Sequence, residues 1–190
     1  MITSAWIDTE TTGIDTRDSS AFEIALLIYK GKECVYECLY NLNPLNDKIR
    51  WSEEAYSVNG VSEETILSYP PLEGVVPDIA ADLKKHMPTE KYVFAGYNCG
   101  FDYGHVAALF ARAGLNMDDL FNKKMIDVYQ RVIMAAEKGI LPKTKNQKLG
   151  TIAKELGIDP GNSHTAMDDI KTTRRIYEML WFMENKQVKK

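Results

Sequence analysis

The sequence predicts an α/β domain built on a mixed sheet, and two patterns support this. An antiparallel hairpin is expected first, because Ala21–Lys30 and Glu33–Leu42 are rich in β-branched and aromatic residues and Gly31-Lys32 suits a tight turn between them. Further along, strand-like apolar segments alternate with segments of helical periodicity. A hairpin followed by such alternation is typical of a layered α/β domain whose sheet contains antiparallel and parallel pairs.

Each remaining element follows from local patterning. Ile2–Asp8 predicts an apolar strand and Lys91–Gly96 a second, buried one. Asn43–Pro71 contains several Asn, Pro and Ser residues that favour turns, and we expect a loop with one or two short helices there. The other predicted elements are a short strand at Lys124–Val128 and helices at Val75–His86, Asp102–Ala113 (ending at Gly114), Val128–Lys138, Gln147–Leu156 and roughly His164–Asn185.

Composition predicts one domain spanning residues 1–190, long enough to bury a core without disulfides. Apolar residues make up 45% and charged residues 26%, an ordinary globular mix. We expect no secretory signal and no membrane association, since no apolar stretch approaches the ~18 residues of a membrane span. Cys34, Cys38 and Cys99 lack metal-ligand spacing, which predicts free thiols in a reducing cytoplasm.

The net charge bears on the class of function. A formal charge of −4 argues against a non-catalytic module that grips nucleic acid through a basic surface. It is compatible with an enzyme that engages a few nucleotides at a strand end, where bound cations supply the positive charge that phosphate needs. Charge therefore favours an enzyme.

Asp8 and Glu10 form the first candidate site. They follow an apolar strand, and residues i and i+2 of a strand lie on the same face. Two neighbouring carboxylates repel each other unless a cation lies between them, and Mg²⁺ or Mn²⁺ prefers such oxygen ligands. On its own, this short spacing is also typical of a solvated strand end.

Asn98 and Asp102 form the second candidate site, between an apolar strand and a predicted helix. Asp102 near a helix start has either a metal-binding role or an ordinary role as an N-cap. Asn98 is either functional or a loop residue that forms hydrogen bonds locally.

His164 and two adjacent aspartates form the third candidate site, at the entry to the last predicted helix. A histidine beside a metal ligand can act as a general base near neutral pH, although a lone histidine is more often an ordinary surface or core residue. In a continuous helix, His164 would share a face with Asp168, four residues on. It can pair with Asp169 if it lies in a preceding loop, which Asp159-Pro160-Gly161-Asn162 favours.

In combination, the three sites resemble the DnaQ-like exonuclease family in its histidine-bearing DEDDh branch, which includes proofreading subunits such as DNA polymerase III epsilon and RNA-trimming enzymes such as ribonuclease T. The resemblance runs from Ile7 to about Tyr177 and rests on Asp8-x-Glu10, Asn98-x3-Asp102 and His164-x4-Asp169 in this order. The family pattern His-x-Ala-x-x-Asp assigns the ligand role to Asp169. The chain departs from the family at Asn59, where many members have threonine.

The resemblance implies a ribonuclease H-like fold, a mixed central five-stranded sheet flanked by helices, with the site at strand and helix ends. It also implies two divalent cations, Mg²⁺ or Mn²⁺, and a general base. The implied metal ligands are Asp8, Glu10, Asp102 and Asp169, the implied base is His164, and the implied substrate contacts are Thr11, Thr12, Gly13 and Asn98.

The activity implied by the resemblance is 3′–5′ hydrolysis of nucleic acid, with DNA favoured and 5′-mononucleotides released. The expected partner is a single-stranded 3′ end, and a DNA polymerase is a candidate partner. The alternatives are an exoribonuclease that trims RNA ends, a nuclease-fold module that binds without cleaving, and a phosphomonoesterase or nucleotide pyrophosphatase acting on free nucleotides.

Several nearby residues are candidates for substrate contact, each with an ordinary structural alternative. Ile14 either wedges against the last base or packs internally. Among the aromatic residues, Tyr97, Phe101 and Tyr103 can stack on bases, with core packing favoured for Phe101. A lysine-rich loop either steers phosphates or is simply solvated; its members are Lys143, Lys145 and Lys148.

Overall fold

A computed structural model gives the architecture and describes residues 2–87, 89–161 and 165–187. Within these residues, five strands form one sheet: β1 Thr3–Thr11, β2 Ala21–Lys30, β3 Glu33–Asn41, β4 Tyr92–Gly96 and β5 Phe121–Asp127. The helices are α1 Glu53–Asn59, α2 Glu63–Leu67, α3 Leu72–His86, α4 Cys99–Arg112, α5 Val128–Glu137, α6 Leu149–Glu155 and α7 Ala166–Gln187, with a 3₁₀ turn at Met117–Asp119.

The sheet is mixed and has β1 at its centre. The strand order is β3-β2-β1-β4-β5, in which β1–β2 and β2–β3 are antiparallel while β1–β4 and β4–β5 are parallel. The predicted fold class, a mixed five-stranded sheet flanked by helices, is therefore confirmed. Gly96 allows β4 to approach β1 closely, because a Cβ there would lie 2.9 Å from the Ile7 carbonyl oxygen.

Alternating side chains of β1 divide the core into two layers. Ala5 and Ile7 join the apolar cluster that contains residues of α3 and α4, whereas Trp6 joins the cluster formed with α5, α6 and α7. Because side chains alternate along a strand, Asp8 and Glu10 continue the Trp6 side and face α7. The strand thus delivers its carboxylates to one helical layer.

Three boundaries differ from the predicted ones and bear on the site. β1 extends past Asp8, because Glu10 and Thr11 still pair with β2, although their polar side chains end the apolar pattern. α4 begins at Cys99, so Asp102 lies within its first turn rather than at its first residue. The described part of the last helix begins at Ala166, after His164. The two short helices expected within Asn43–Pro71 are confirmed as α1 and α2.

Two expectations from composition can be compared with the structure. Across the described ranges, every helix is too short or too polar to cross a lipid bilayer. The prediction of free thiols is confirmed, with Cys34 exposed, Cys38 partly exposed and Cys99 buried.

Candidate functional site

Three carboxylates meet where β1 ends and α7 begins. Asp8, Glu10 and Asp169 each offer one oxygen atom, and the three oxygens lie within 4.8 Å of one another. The first two project from β1 toward α7, and the third lies in the first turn of α7. A donor set made only of carboxylate oxygens suits a hard divalent cation such as Mg²⁺ or Mn²⁺.

Asp102 reaches the same region from the opposite layer. It is 4% exposed, and its Oδ1 accepts hydrogen bonds from the Thr9 amide at 3.0 Å and the Thr9 hydroxyl at 2.8 Å. Asp102 is not the N-cap of α4, because Asn98 occupies that position, although it does lie in the first turn of the helix. Thr9 therefore fixes the Asp102 carboxylate beside β1, on a helix that otherwise packs against the other face of the sheet.

The electrostatics of the carboxylates favour a positive charge among them. Burial, followed by the charge of Asp102 and then of other nearby carboxylates, raises the pKa of Asp8 well above its ordinary value. Burial and the charge of Asp169 raise the pKa of Glu10 to about 8. Burial also raises the pKa of Asp102, although the hydrogen bonds from Thr9 oppose the shift. A bound cation would offset both the desolvation and the repulsion, so these residues fit a metal.

Glu23 on β2 is a further acidic residue of this region that sequence reasoning did not single out. It lies directly opposite Glu10 in the β1–β2 register. Its Oε1 accepts a hydrogen bond of 3.0 Å from the amide of Ala166, the first residue of α7. Glu23 therefore holds the start of the helix that carries Asp169. The available signal was a single glutamate inside the apolar strand Ala21–Lys30.

His164 lies outside the described residues, so its role as general base stays a prediction. After it, α7 begins at Ala166, and Thr165 is not part of the helix. Gly161 adopts a left-handed conformation, with φ of 68°, and a Cβ there would lie 2.9 Å from Cγ of Asp168. Gly161 thus packs against Asp168, while Asp169 joins the carboxylate group.

Asn98 has an unusual backbone at the end of β4. Its φ of 61° and ψ of 51° are left-handed, and among the described residues it is the one non-glycine with positive φ. Its amide donates to Oδ1 of Asp127 at 3.1 Å, and the same oxygen caps α5 by accepting from the Tyr129 amide. Strained backbone of this kind persists where surrounding structure enforces it, often beside functional sites. Its predicted contact with substrate stays a prediction.

A cavity of about 650 Å³, here called the Ile14 cavity, opens on the Glu10 side of the carboxylates. Ile14 is 86% exposed at its edge, so the alternative of internal packing is wrong for this residue. Phe101 is partly buried and lines the same cavity. The three predicted substrate contacts Thr11, Thr12 and Gly13 also line it, and the facing wall contains Trp51, Val58 and Asn59.

Internal contacts hold the loop that carries Ile14. Thr12 is buried, and its hydroxyl accepts from the Ser20 amide at 3.1 Å. A Cβ at Gly13 would lie 3.0 Å from Cβ of Ser19. Close packing inside the loop therefore favours glycine at this position, in addition to the expected approach of a nucleotide.

Two residues of α4 that sequence reasoning missed anchor the same loop. Nε2 of His105 lies 3.2 Å from the Ile14 carbonyl oxygen, and Arg112 donates to the Thr16 carbonyl at 2.6 Å. Burial lowers the pKa of His105 below its ordinary value. His105 and Arg112 follow Asp102 by three and ten residues and lie on the same face of α4. Polar residues at this spacing on a helix that faces the core were the signal from which their role could have been predicted.

Asn59 connects the facing wall to β1. Its Nδ2 donates to the Thr11 carbonyl at 3.2 Å, and its Oδ1 accepts from the Val61 amide at 3.0 Å. Asn59, which stands where many family members have threonine, therefore contributes to the packing of α1 against β1.

A second cavity of about 560 Å³, here called the Tyr97 cavity, lies on the Asp8 side. It contains Asp8 and Asp169, and its wall includes Tyr97, Tyr129 and Lys148. The two tyrosine rings meet edge to face with centroids 5.7 Å apart. The carboxylates thus lie between two open cavities, as a reacting phosphodiester between two nucleotides would require.

The fold is that of the DnaQ-like exonucleases. The family model described as exonuclease matches residues 5–177, and the chain belongs to that family. The PolC-type DNA polymerase III of Thermotoga maritima is 25% identical over 171 residues, which cover 90% of this chain and 11% of the polymerase. The chain therefore spans about a tenth of the length of this relative.

Solved structures resemble the fold over nearly the whole chain. E. coli exonuclease I in complex with a dT13 oligonucleotide superposes with a TM-score of 0.82 at 17% identity, covering 100% of this chain and 43% of exonuclease I. Cell-death related nuclease 4 superposes with a TM-score of 0.77 at 14% identity, covering 95% of this chain and 64% of that nuclease.

Proposed function

We propose that residues 1–190 act as a single exonuclease domain that removes 5′-mononucleotides from single-stranded 3′ ends, with DNA favoured. The observation that carries the proposal is the group of Asp8, Glu10 and Asp169 between the Ile14 and Tyr97 cavities. Each cavity falls in the size range of small-ligand sites, roughly 300–1,000 Å³.

We propose Asp8, Glu10, Asp102 and Asp169 as ligands of two divalent cations, Mg²⁺ or Mn²⁺. Such cations supply positive charge to a scissile phosphate and make a bound water more acidic. Four carboxylates match the four positive charges of two divalent ions, and the raised pKa values of Asp8 and Glu10 express the burial and the repulsion that those ions would offset.

The remaining steps belong to the chain itself. His164 accepts the proton of the attacking water, a role suited to a histidine near neutral pH. Thr9 keeps Asp102 in place through its two hydrogen bonds. Thr11, Thr12 and Gly13 receive the terminal nucleoside, with Ile14 against its base, while Asn98 contacts the strand on the opposite side.

Charge around the Ile14 cavity supports the 3′–5′ direction. Its lining carries four acidic residues, Glu10, Asp15, Asp18 and Glu54; with Glu10 assigned to a cation and Asp15 paired with Arg17, the remaining two still outnumber the one basic residue, Arg50. A nucleoside at a 3′ end has no phosphate beyond the scissile one, so an acidic cavity can hold it. A 5′ end that retains its phosphate would be repelled there.

A preference for single strands follows from the net charge of −4, which leaves little surface for gripping a duplex. The relatives favour DNA over the RNA-trimming alternative, since exonuclease I was solved with a dT13 oligonucleotide and the PolC-type relative is a DNA polymerase. On the same grounds we propose a DNA polymerase as a partner, and the free thiols are consistent with a cytoplasmic location.

The test is digestion of 5′-labelled single- and double-stranded DNA and RNA with Mg²⁺ or Mn²⁺. We expect a ladder that shortens from the 3′ end, fastest on single-stranded DNA, and no cleavage in EDTA or by the Asp8→Asn variant. Early release of the 5′ label would contradict the direction, and cleavage in EDTA would contradict the metal. Hydrolysis of free nucleotides without cleavage of oligonucleotides would instead support a pyrophosphatase or phosphomonoesterase, and binding without products a non-cleaving module.

A further inference from the structure

The strongest local concentration of positive charge lies outside the machinery described so far. Residues 138–154 contain five lysines and no aspartate or glutamate, in a chain whose net charge is −4. Three of these lysines, Lys143, Lys145 and Lys154, line a cavity of about 740 Å³ with a single acidic neighbour, Glu155. We call this the lysine cavity. Its charge is opposite in sign to that of the Ile14 cavity.

The lysine cavity adjoins the Tyr97 cavity along the start of α6. Lys148 and Leu149 line the Tyr97 cavity together with Asp8 and Asp169, while the next residues, Gly150 and Thr151, line the lysine cavity. The carboxylates, the tyrosine pair and the lysines therefore follow one another along the surface.

Hydrogen bonds hold the loop that presents these lysines, as a binding surface requires. The Tyr97 hydroxyl donates to the Gln147 carbonyl, which ties the loop to the end of β4. The Thr144 hydroxyl donates to the Asn146 carbonyl at 2.8 Å, and the Lys148 amide donates to Oδ1 of Asn146 at 3.1 Å. These contacts give the loop a defined shape, unlike an irregular solvated charge run.

We infer that Lys143, Lys145, Lys148 and Lys154 bind the backbone phosphates of the nucleotides upstream of the cleaved bond. The inference rests on the proposed function, because it takes the 3′ nucleoside to occupy the Ile14 cavity. The strand then leaves the carboxylates through the Tyr97 cavity, where Tyr129 offers an aromatic surface to the penultimate base. Its next phosphates lie over the lysine cavity.

Substrate length separates this surface from the cleavage site. A dinucleotide has one phosphodiester, which the carboxylates occupy, so it has no phosphate left for the lysine cavity. A strand of about 12 nucleotides has several. Each phosphate that a protein neutralises on a single strand contributes about 0.7 to the dependence of log affinity on log salt, so three lysines contribute about 2.

The experiment compares K143Q/K145Q/K154Q with a control of equal charge change, K84Q/K85Q/K124Q, whose lysines are exposed and line none of the cavities described above. Both sets are placed in an Asp8→Asn background, and binding of a labelled 12-nucleotide single strand is followed by fluorescence anisotropy across salt concentrations. We expect the test variant to bind at least about tenfold more weakly at low salt, while the control binds like its parent. The slope of log affinity against log salt should become shallower by about 2 in the test variant only. Equal affinities and slopes for test and control would overturn the inference.

A second measurement uses the active protein. The ratio of kcat/KM for the 12-nucleotide strand to kcat/KM for a dinucleotide should fall about tenfold in the test variant and not in the control. An unchanged ratio would also overturn the inference. Failure of the wild type to cleave either substrate would overturn the proposed function instead, while the anisotropy experiment would still decide whether the lysines bind the strand.

Discussion

The two ends of the β1–α7 interface contain charges of opposite sign in different surroundings. At one end Trp6 of β1 and Arg174 of α7 bring a cation among aromatic rings, and at the other end Asp8 and Asp169 bring carboxylates together. Trp6 and Asp8 are two positions apart on β1, with only Ile7 between them. The same strand and helix therefore supply a stabilised charge at one end and a set of mutually repelling charges at the other.

Arg174 shows how the interface accommodates a buried cation. Its guanidinium carbon lies 5.0 Å from the ring centre of Trp6, 4.3 Å from that of Tyr29 and 5.2 Å from that of Tyr177. An ion pair with Glu178 at 3.0 Å supplies a carboxylate partner. At the carboxylate end, burial and the charges of neighbouring acids both raise the pKa of Asp8. The contrast fits a role in stability for the aromatic end and the proposed binding of cations at the carboxylate end.

The largest expected effect distinguishes two adjacent aspartates at the carboxylate end. Asn at position 169 keeps the volume of the side chain but removes the charge that a hard cation requires. Asp169→Asn should nearly abolish cleavage of a labelled oligonucleotide and weaken Mg²⁺ binding measured by calorimetry. Asp168→Asn is the matched control and should keep most activity, since Asp168 is not part of the group formed by Asp8, Glu10 and Asp169. An inactive Asp168→Asn beside an active Asp169→Asn would reverse the assignment.

The difficulty with Asp168 and Asp169 shows where sequence reasoning stops. Local patterns predicted the hairpin, the alternation of strands and helices, and the candidate residues. Contacts between distant segments have no local pattern, which is why the hydrogen bonds from Thr9 to Asp102 and from Ala166 to Glu23 were not foreseen. β1 was predicted to end too early, because the apolar pattern stops before Glu10 and Thr11 although their backbone still pairs with β2.

A second, smaller loss of activity tests whether the carboxylate end includes a general base. His164→Ala should lower kcat by about 10²–10⁴-fold, the usual contribution of proton transfer, while metal binding largely persists. Single-turnover cleavage and Mg²⁺ calorimetry on the same variant separate the two effects. Loss of the metal as well would make His164 a ligand or a structural residue.

The burial and mutual repulsion of the carboxylates should also appear as pH-dependent stability of the metal-free protein. The pKa of Glu10 is raised in the folded state from 4.5 to about 8, so the folded protein binds more protons than the unfolded chain between these values. The free energy of unfolding should therefore fall as pH rises from about 5 to about 8, by ~1–3 kcal/mol after allowance for solvent screening.

Denaturant unfolding in EDTA at several pH values measures this slope. Glu10→Gln should flatten it, and Mg²⁺ should restore stability at about pH 8, because a ligand that binds only the folded state stabilises it. A metal-free protein that gains stability over this range would show that the carboxylates are not held in repulsion, and the contrast between the two ends would then fail.

The smallest effect is expected at the aromatic end, and it should be confined to stability. Arg174→Gln removes cation–π contacts that contribute ~0.5–2 kcal/mol, together with an i,i+4 ion pair to the exposed Glu178 that adds only a few tenths, so we expect a loss of ~1–2 kcal/mol in the free energy of unfolding. Arg175→Gln is the neighbouring control, since Arg175 is exposed, and it should change stability by less than about 0.5 kcal/mol. Both variants should bind Mg²⁺ and cleave oligonucleotides like the wild type at temperatures well below their melting points. A weakened Mg²⁺ affinity in Arg174→Gln alone would mean that the aromatic end positions Asp169 through α7, so that the two ends act as one unit.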